Sequence, residues 1–470
     1  MSKRLLSLLT LVPFLLAAET KLPSILGSHM VLQQGSVCPI WGWDEAGKEV
    51  TVTFAGQTHS AKANKAGRWQ VNLTAMKANS KGADLTVKGS STVTLKDVLV
   101  GEVWLCSGQS NMEWRVRQSA NPQEEIANAK HPLIRHIKIP HRPSKKPEND
   151  VPSQGWQVCL PNTAADFTAV GYYFARHLQG EIKVPIGLIG SNWGGTRIEP
   201  WTPPVGFKSV PALKNIADNL DKFPTPRGNG VNHQSPLALY NGMIHPMLPF
   251  KIKGALWYQG ESNNGEGMLY YEKMRALISG WRKVFNDKNL PFYFVQLAPF
   301  TYRGDAKRLP GIWQAQLTAA KNIPHTGMAV TTDITNLRDI HPKNKQDVGK
   351  RLALWALAKT YGKKDIVYSG PVVRSARVDA HRVVLKFDHG EGMKARDGKF
   401  LTHFELQNAD GKWFPAGAYI DKGDVIVTSK AVLNGPVAVR MGWDQRAEPN
   451  LVNAAGLPAS PFTLKADKKL

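Results

Sequence analysis

The chain has 470 residues, too many for one compact core, so we expect two or three domains. Its net charge is +23, but the basic residues are dispersed and no nucleic-acid-binding motif accompanies them, so we expect no nucleic-acid partner. Three cysteines are too few for a disulfide framework and show no zinc spacing, so no structural metal is expected. We expect buried free thiols rather than a bridge between Cys106 and Cys159.

Residues 1–18 have the pattern of a secretory signal peptide. Lys3 and Arg4 precede an apolar run that ends in the small pair Ala17-Ala18. A membrane anchor is the alternative, but the run is too short to span a bilayer comfortably. We therefore expect export to the periplasm or the extracellular space, without stable membrane insertion.

The remaining chain shows two changes of hydrophobic period. Short alternating strands with glycine and asparagine turns predict β-structure at both ends, and the first such region resembles a small sandwich. Between them, strand runs alternate with amphipathic helices, which indicates an α/β domain with a parallel sheet. The predicted division is an N-terminal β-sandwich at 19–97, an α/β domain at 98–364 with a polar insertion near 203–236, and a C-terminal β domain at 365–470.

The central domain carries the chemistry-bearing loops. Its strands are predicted at 103–106, 186–189, 255–258, 292–297 and 328–332, and its helices at 168–179, 269–285, 312–321 and 347–361. Ligands of open parallel sheets bind outside the carboxyl ends of the strands, so the loops at those ends are the candidate site.

The first of these loops reads Cys106-Ser-Gly-Gln-Ser110, which places a serine where a helix begins. A strand–Gly-x-Ser–helix turn has the geometry of an acyl-transfer nucleophile, although alone it is a weak signal. The next two loops contain Gly194-Gly195 and Gln259, which offer backbone and side-chain N–H donors. The fifth strand is followed by Asp339-Ile-His341, which supplies a general base.

Four segments in this order carry a family resemblance. Gly-Gln-Ser-Asn-Met, Gly-Gly-Thr-Arg-Ile-Glu-Pro-Trp, Trp-Tyr-Gln-Gly-Glu-Ser-Asn and Asp-Ile-His-Pro-Lys-Asn-Lys resemble the sialate O-acetylesterase family. These are SGNH hydrolases that remove acetyl groups from carbohydrates. The resemblance implies a flavodoxin-like sheet, a serine acyl-enzyme, no cofactor, and an acetylated carbohydrate as substrate, either a sialic acid or a plant polysaccharide.

The resemblance also assigns roles by position. Ser110 matches the nucleophile and His341 the base. The oxyanion hole is matched by the Ser110 N–H, a glycine N–H from Gly194-Gly195 and the Gln259 amide.

The third member of the triad stays open in the sequence. SGNH enzymes commonly place an aspartate three residues before the histidine, where this chain has Arg338. Asp339 is the first candidate and Asp333 the second. Glu261 is a third candidate, and a Ser–His dyad oriented by a backbone carbonyl is consistent with the same residues.

Several further residues have two interpretations. Polar side chains beside the donor loops are candidate substrate contacts, namely Arg197, Glu199, Glu261 and Asn263. Arg197, Glu199 and Trp201 are equally consistent with packing and ion pairing. We interpret Ser262 as structural or substrate-contacting, and His245 as structural rather than catalytic. The rival functions are a non-catalytic carbohydrate-binding protein and, less favoured because no lid-like apolar helix is evident, a lipase or peptidase. The sequence predicts no oligomeric state.

Overall fold

The computed structural model describes residues 19–432 and 435–467, so the predicted signal peptide at 1–18 lies outside the described residues. Within that described part, no helix combines the length and apolar character needed to cross a membrane. The predicted α/β sheet with β-structure on both sides is confirmed.

The N-terminal region forms two small sheets. β3, β4, β6 and β7 pair antiparallel, β1 joins β7 in parallel, and β2 pairs with β5 in a separate sheet. Burial alternates along β5, so one face of that strand packs on the core. The strands are β1 Val31–Gln33, β2 Cys38–Trp43, β3 Glu49–Phe54, β4 Gln57–Lys62, β5 Arg68–Leu73, β6 Asn79–Lys88 and β7 Thr92–Gly108.

β7 connects the N-terminal region to the central sheet. Its first half pairs with β6, and its second half pairs in parallel with strands of the α/β domain. The predicted boundary at 97/98 therefore lies within a continuous strand. The order of the central sheet is β15-β14-β13-β7-β10-β8-β9, with β9 antiparallel at the edge. Its other strands are β8 His131–Lys138, β9 Gln157–Cys159, β10 Ile186–Asn192, β13 Gly254–Tyr258, β14 Phe292–Val295 and β15 Thr326–Ala329, while β11 Pro226–Arg227 and β12 Gly230–Val231 form a separate hairpin.

Helices cover both faces of this sheet. Trp104 of β7 contacts Phe174 edge-to-face at 4.9 Å, and Trp257 of β13 contacts Trp281 at 5.8 Å. Trp104 is paired with Gly254, three residues from Trp257, so the two indoles point to opposite faces. The helices are α1 Ser110–Glu113, α2 Pro122–Ala127, α3 Ala169–Ile182, α4 Pro204–Lys208, α5 Lys214–Ala217, α6 Leu269–Val284, α7 Arg308–Asn322 and α8 Lys345–Trp355.

The insertion at 203–236 holds α4, α5 and the β11–β12 hairpin. It packs on α6 through its own small hydrophobic cluster, in which Phe207, Val210 and Leu213 meet Ala276. This cluster fixes the insertion to the helical layer rather than leaving it as a free loop.

The C-terminal region is an antiparallel sheet of order β16-β17-β21-β20-β19-β22-β24, with a small β18–β23 pair beside it. The strands are β16 Val372–Asp379, β17 Arg382–Asp388, β18 Lys394–Ala395, β19 Leu401–Gln407, β20 Trp413–Asp421, β21 Asp424–Thr428, β22 Ala438–Met441, β23 Leu451–Val452 and β24 Phe462–Lys465.

The three cysteines are free and buried, as expected, and Cys106 does not pair with Cys159. Burial raises the pKa of the Cys38 and Cys159 thiols to about 12 and that of Cys106 further. These thiols therefore stay protonated and pack as small apolar groups.

Candidate active site

The nucleophile turn is fixed by its contact with the neighbouring strand. β7 ends at Gly108, whose φ of +131° is open to glycine only, and a Cβ there would lie 2.2 Å from Tyr258 O. The Gln109 N–H donates to Tyr258 O at 2.9 Å, and Ser110 then opens α1. The turn thereby lifts the Ser110 side chain above the carboxyl ends of the strands.

His341 reaches this serine from the loop between β15 and α8. Its Nε2 lies 2.8 Å from Ser110 Oγ, the distance of a nucleophile–base hydrogen bond. Its ring stacks on Trp114 with centroids 4.7 Å apart. Burial and the nearby Lys345 lower the pKa of His341, while Asp339 opposes them. The imidazole is therefore unprotonated at neutral pH, as a general base must be.

The three candidate acids have different environments. Asp339 Oδ1 lies 3.3 Å from His341 Nδ1, long for a hydrogen bond, and accepts the His341 backbone N–H at 2.9 Å. Asp333 instead holds Arg351 through both carboxylate oxygens, at 2.7 and 2.6 Å. Glu261 accepts from Asn111 at 2.6 Å. Among these carboxylates, Asp339 is the one placed to orient the ring.

The backbone N–H groups that were predicted as oxyanion donors differ in whether a protein acceptor already binds them. Gly194 lies against the nucleophile, since a Cβ on it would be 3.3 Å from the Cβ of Ser110, but its N–H donates to Glu113 Oε2 at 2.7 Å. Within the described residues, the backbone N–H groups of Ser110 and Gly195 donate to no protein atom. Gly195 follows directly after Gly194, so both of these unpaired N–H groups belong to the segments that meet at the serine.

The assignment of the Gln259 amide as a third donor does not fit this arrangement. Gln259 is fully buried, and its Nε2 donates to Thr196 O at 3.2 Å and to Asn263 Oδ1 at 2.8 Å. Its Oε1 accepts from Tyr270 at 2.8 Å. Both amide hydrogens are engaged, so this side chain fixes the Thr196 and Asn263 loops to each other.

The other predicted substrate contacts belong mainly to an ion-pair cluster. Lys273 Nζ lies 2.7 Å from both Glu199 and Glu266, and Arg197 binds the same two carboxylates. Burial would raise the pKa of Glu199, but Lys273, Arg197 and Asn263 bring it to about 2. These contacts favour the ion-pairing interpretation of Arg197 and Glu199.

Trp201, Ser262 and His245 also make internal contacts. Trp201 is fully buried, and its Nε1 donates to Thr196 at 3.1 Å. Ser262 Oγ donates to Gly195 O at 2.8 Å, and His245 Nδ1 lies 2.8 Å from Glu148 O. Each therefore has a structural partner.

Glu113, for which the sequence predicts no role, lies one helical turn after Ser110. Its carboxylate accepts from Gly194, from Lys138 at 3.1 Å and from His141 at 2.7 Å. Burial would raise its pKa, but these donors bring it to about 2. The i, i+3 spacing from Ser110 on a helix was the available signal.

The serine opens into a cleft. A cavity of about 340 Å³ is lined by Ser110, Glu113, Trp114, Arg115, Arg117, Gln118 and His341. Arg115 and Arg117 share one oxygen of Asp166, each at 2.9 Å, so these three side chains together carry one positive charge. The ionised Glu113 on the same wall is paired with Lys138. Ser110, His341 and several polar side chains thus border one solvent-accessible space.

Comparison with known proteins decides the family. Residues 100–358 match the model of the carbohydrate esterase family described as sialic acid-specific acetylesterase. The chain belongs to this family. It is 31% identical to the human sialate O-acetylesterase, over 93% of this chain and 91% of that protein, and 30% identical to the mouse one, over 89% and 88%.

A solved structure extends the similarity to the whole fold. A carbohydrate acetylesterase from Xanthomonas citri superposes with a TM-score of 0.87 at 39% identity, covering 95% of this chain and 99% of that one. The predicted family, the SGNH-type fold and the assignment as a carbohydrate O-acetylesterase are confirmed.

Replacing Asp339 with asparagine tests the orienting carboxylate. Asp339 raises the pKa of His341, so its removal lowers that pKa and moves the acidic limb of kcat/KM to lower pH. Loss of ring orientation should also reduce the plateau, by about tenfold or more. The measurement is kcat/KM for p-nitrophenyl acetate between pH 4 and 9.

The matched control is Asp333→Asn, which breaks the pair with Arg351. We expect it to lower Tm and to leave the acidic limb where it is. A limb that moves with Asp333→Asn and not with Asp339→Asn would transfer the role to Asp333.

Proposed function

We propose that the protein removes acetyl groups from sugar hydroxyls through an acetyl-enzyme on Ser110. The observation that carries this proposal is the 2.8 Å contact between Ser110 Oγ and His341 Nε2 at the floor of an accessible cleft. A binding protein has no need of such a contact, whereas a serine hydrolase requires it.

The first half-reaction transfers the acetyl group to the enzyme. His341 Nε2 takes the hydroxyl proton as Ser110 Oγ bonds to the acetyl carbonyl carbon. The free N–H groups of Ser110 and Gly195 are the donors available to the resulting oxyanion. When the bond from carbon to the sugar oxygen breaks, that oxygen receives the proton from His341 and the sugar alcohol leaves.

The second half-reaction returns the enzyme to its starting state. His341 takes a proton from water as the water oxygen attacks the acetyl carbon of the ester on Ser110. Collapse of the intermediate expels Ser110 Oγ, which regains its proton from His341, and acetate is released. Each proton moves through His341 Nε2, so the chain's own side chains carry both steps.

The charge of the cleft bears on the substrate class. Arg115 and Arg117 border the space above Ser110 and share a single carboxylate oxygen. Guanidinium groups with unused N–H donors suit a carboxylate-bearing sugar. Of the two proposed classes, acetylated sialic acid is therefore favoured over acetylated neutral plant polysaccharide.

Acetate release by the purified protein tests this function. Acetylated sialoglycan, acetylated xylan and acetylated xyloglucan serve as substrates, with Ser110→Ala as the control. We expect release from the sialoglycan first, and a fall of at least about a thousandfold in turnover for the variant, the usual cost of losing a nucleophile.

Different outcomes separate the competing functions. Equal turnover by Ser110→Ala would overturn the nucleophile assignment. A folded wild-type protein that binds these glycans without releasing acetate would favour a carbohydrate-binding protein. Faster release from xylan or xyloglucan would move the substrate to the plant polysaccharides.

Export to the periplasm or the extracellular space is part of the proposal. It rests on the charged start, the apolar run and the Ala17-Ala18 pair of the sequence. We expect the mature protein to begin at Glu19 and to appear outside the cytoplasm, which N-terminal sequencing of the fractionated protein measures. A cytoplasmic protein that retains residues 1–18 would contradict this.

A further inference from the structure

A buried lysine lies beneath the catalytic residues without a carboxylate in contact. Lys345, at the start of α8, has no solvent exposure. The hydrogen bond of its Nζ goes to Asn111 Oδ1, and the same atom lies 5.3 Å from the Tyr258 ring centroid and 5.8 Å from that of Trp114. An ammonium group has three donors, so this one is buried at a high desolvation cost.

A buried carboxylate occupies the other side of the same amide. Glu261 Oε1 accepts from Asn111 Nδ2 at 2.6 Å. Its Oε2 is enclosed and has no hydrogen-bond partner within the described residues. The Asn111 amide therefore stands between a buried cation and a buried carboxylate, which fixes its oxygen toward Lys345 and its nitrogen toward Glu261.

The same amide connects the two catalytic loops. Asn111 Nδ2 also donates to Ile340 O at 3.0 Å. Asn111 follows the nucleophile directly in the chain, and Ile340 directly precedes the base. A side chain that locks these two neighbours sets the separation of Ser110 and His341 from below, where solvent does not reach.

We propose that Lys345 is a positioning residue for hydrolysis, which acts through Asn111 and Glu261 to hold the nucleophile turn against the His341 loop and presents a positive charge to the imidazole. This inference rests on the proposed esterase reaction. The network joins the loops after β7, β13 and β15, so it couples three separate pieces of the active site.

The positive charge of Lys345 moves the pKa of His341 in a definite direction. The groups that face His341 are Asp339 on its own loop, Ser110 and Trp114 on the nucleophile segment, and Lys345 on α8, with Glu113 and Arg115 bordering the cleft. Lys345 lowers the pKa of His341, whereas Asp339 raises it. Burial lowers the pKa of Lys345 itself to about 7, so its ammonium group is charged over the acidic limb. Removing it should therefore raise the pKa of His341 and move the acidic limb of activity to higher pH.

The test replaces Lys345 with methionine, an unbranched side chain of similar length without charge. With p-nitrophenyl acetate, we expect kcat to fall by about tenfold or more while KM changes less than about threefold, since positioning of the reacting groups is lost. The acidic limb should move up by about half a pH unit or more. Lys350→Met is the matched control, because it removes an exposed cation from the same helix and should change neither quantity.

A second variant separates positioning from simple stability. Lys345→Met alone leaves the buried Glu261 without a nearby cation, which should lower Tm. Adding Glu261→Gln removes that buried charge, and Gln can still accept from Asn111, so the double variant should have a higher Tm than Lys345→Met. We expect the acidic limb to remain at the higher pH in this double variant. A return of both kcat and the limb to wild-type values would make Lys345 purely structural and overturn the proposal.

The proposed function and this inference fail in distinguishable ways. Absence of esterase turnover in the wild-type protein would contradict the function itself. Wild-type turnover with an unchanged limb and unchanged kcat in a folded Lys345→Met protein would contradict only the role of Lys345.

Discussion

The hydrogen bond between Ser110 Oγ and His341 Nε2 joins residues 231 positions apart, and the fold has to bring them to 2.8 Å. β7 lies in the middle of the parallel sheet, so the turn at its carboxyl end is flanked by the loops after β10 and β13. The base arrives from the loop after β15 at the sheet edge. Closing so long a segment is entropically costly, and the buried sheet with helices on both faces supplies the compensating burial.

The protonation states in the site depend on how deeply each charged side chain is buried and on which charges lie beside it. Burial and Lys345 keep His341 unprotonated, while Asp339, which is 41% exposed, opposes them only in part. Glu113 is held ionised beside Gly194 by Lys138 and His141. Glu113 takes up the Gly194 N–H, whereas the backbone N–H groups of Ser110 and Gly195 have no protein acceptor among the described residues.

Local pattern was enough to predict most of the central sheet and the Ser–His pair. β8 and β9 were missed because β8 mixes charged and apolar residues, whose burial depends on neighbours that are distant in sequence. The helix predicted at 347–361 is α8 followed by a π-helical turn, Ala356–Thr360. The engaged state of the Gln259 amide and the contact of Lys345 with Asn111 were also not predictable from local pattern. In both cases the hydrogen-bond partners come from other loops, and no spacing rule in the sequence shows which donors are already bonded.

Covalent labelling of the protein tests whether His341 activates Ser110. The protein is treated with a fluorophosphonate, and the modified residue is located by peptide fragmentation and mass spectrometry. We expect a stoichiometric adduct on Ser110 in the wild-type protein and none in His341→Ala. An adduct on Ser262, or full labelling of Ser110 without His341, would contradict it.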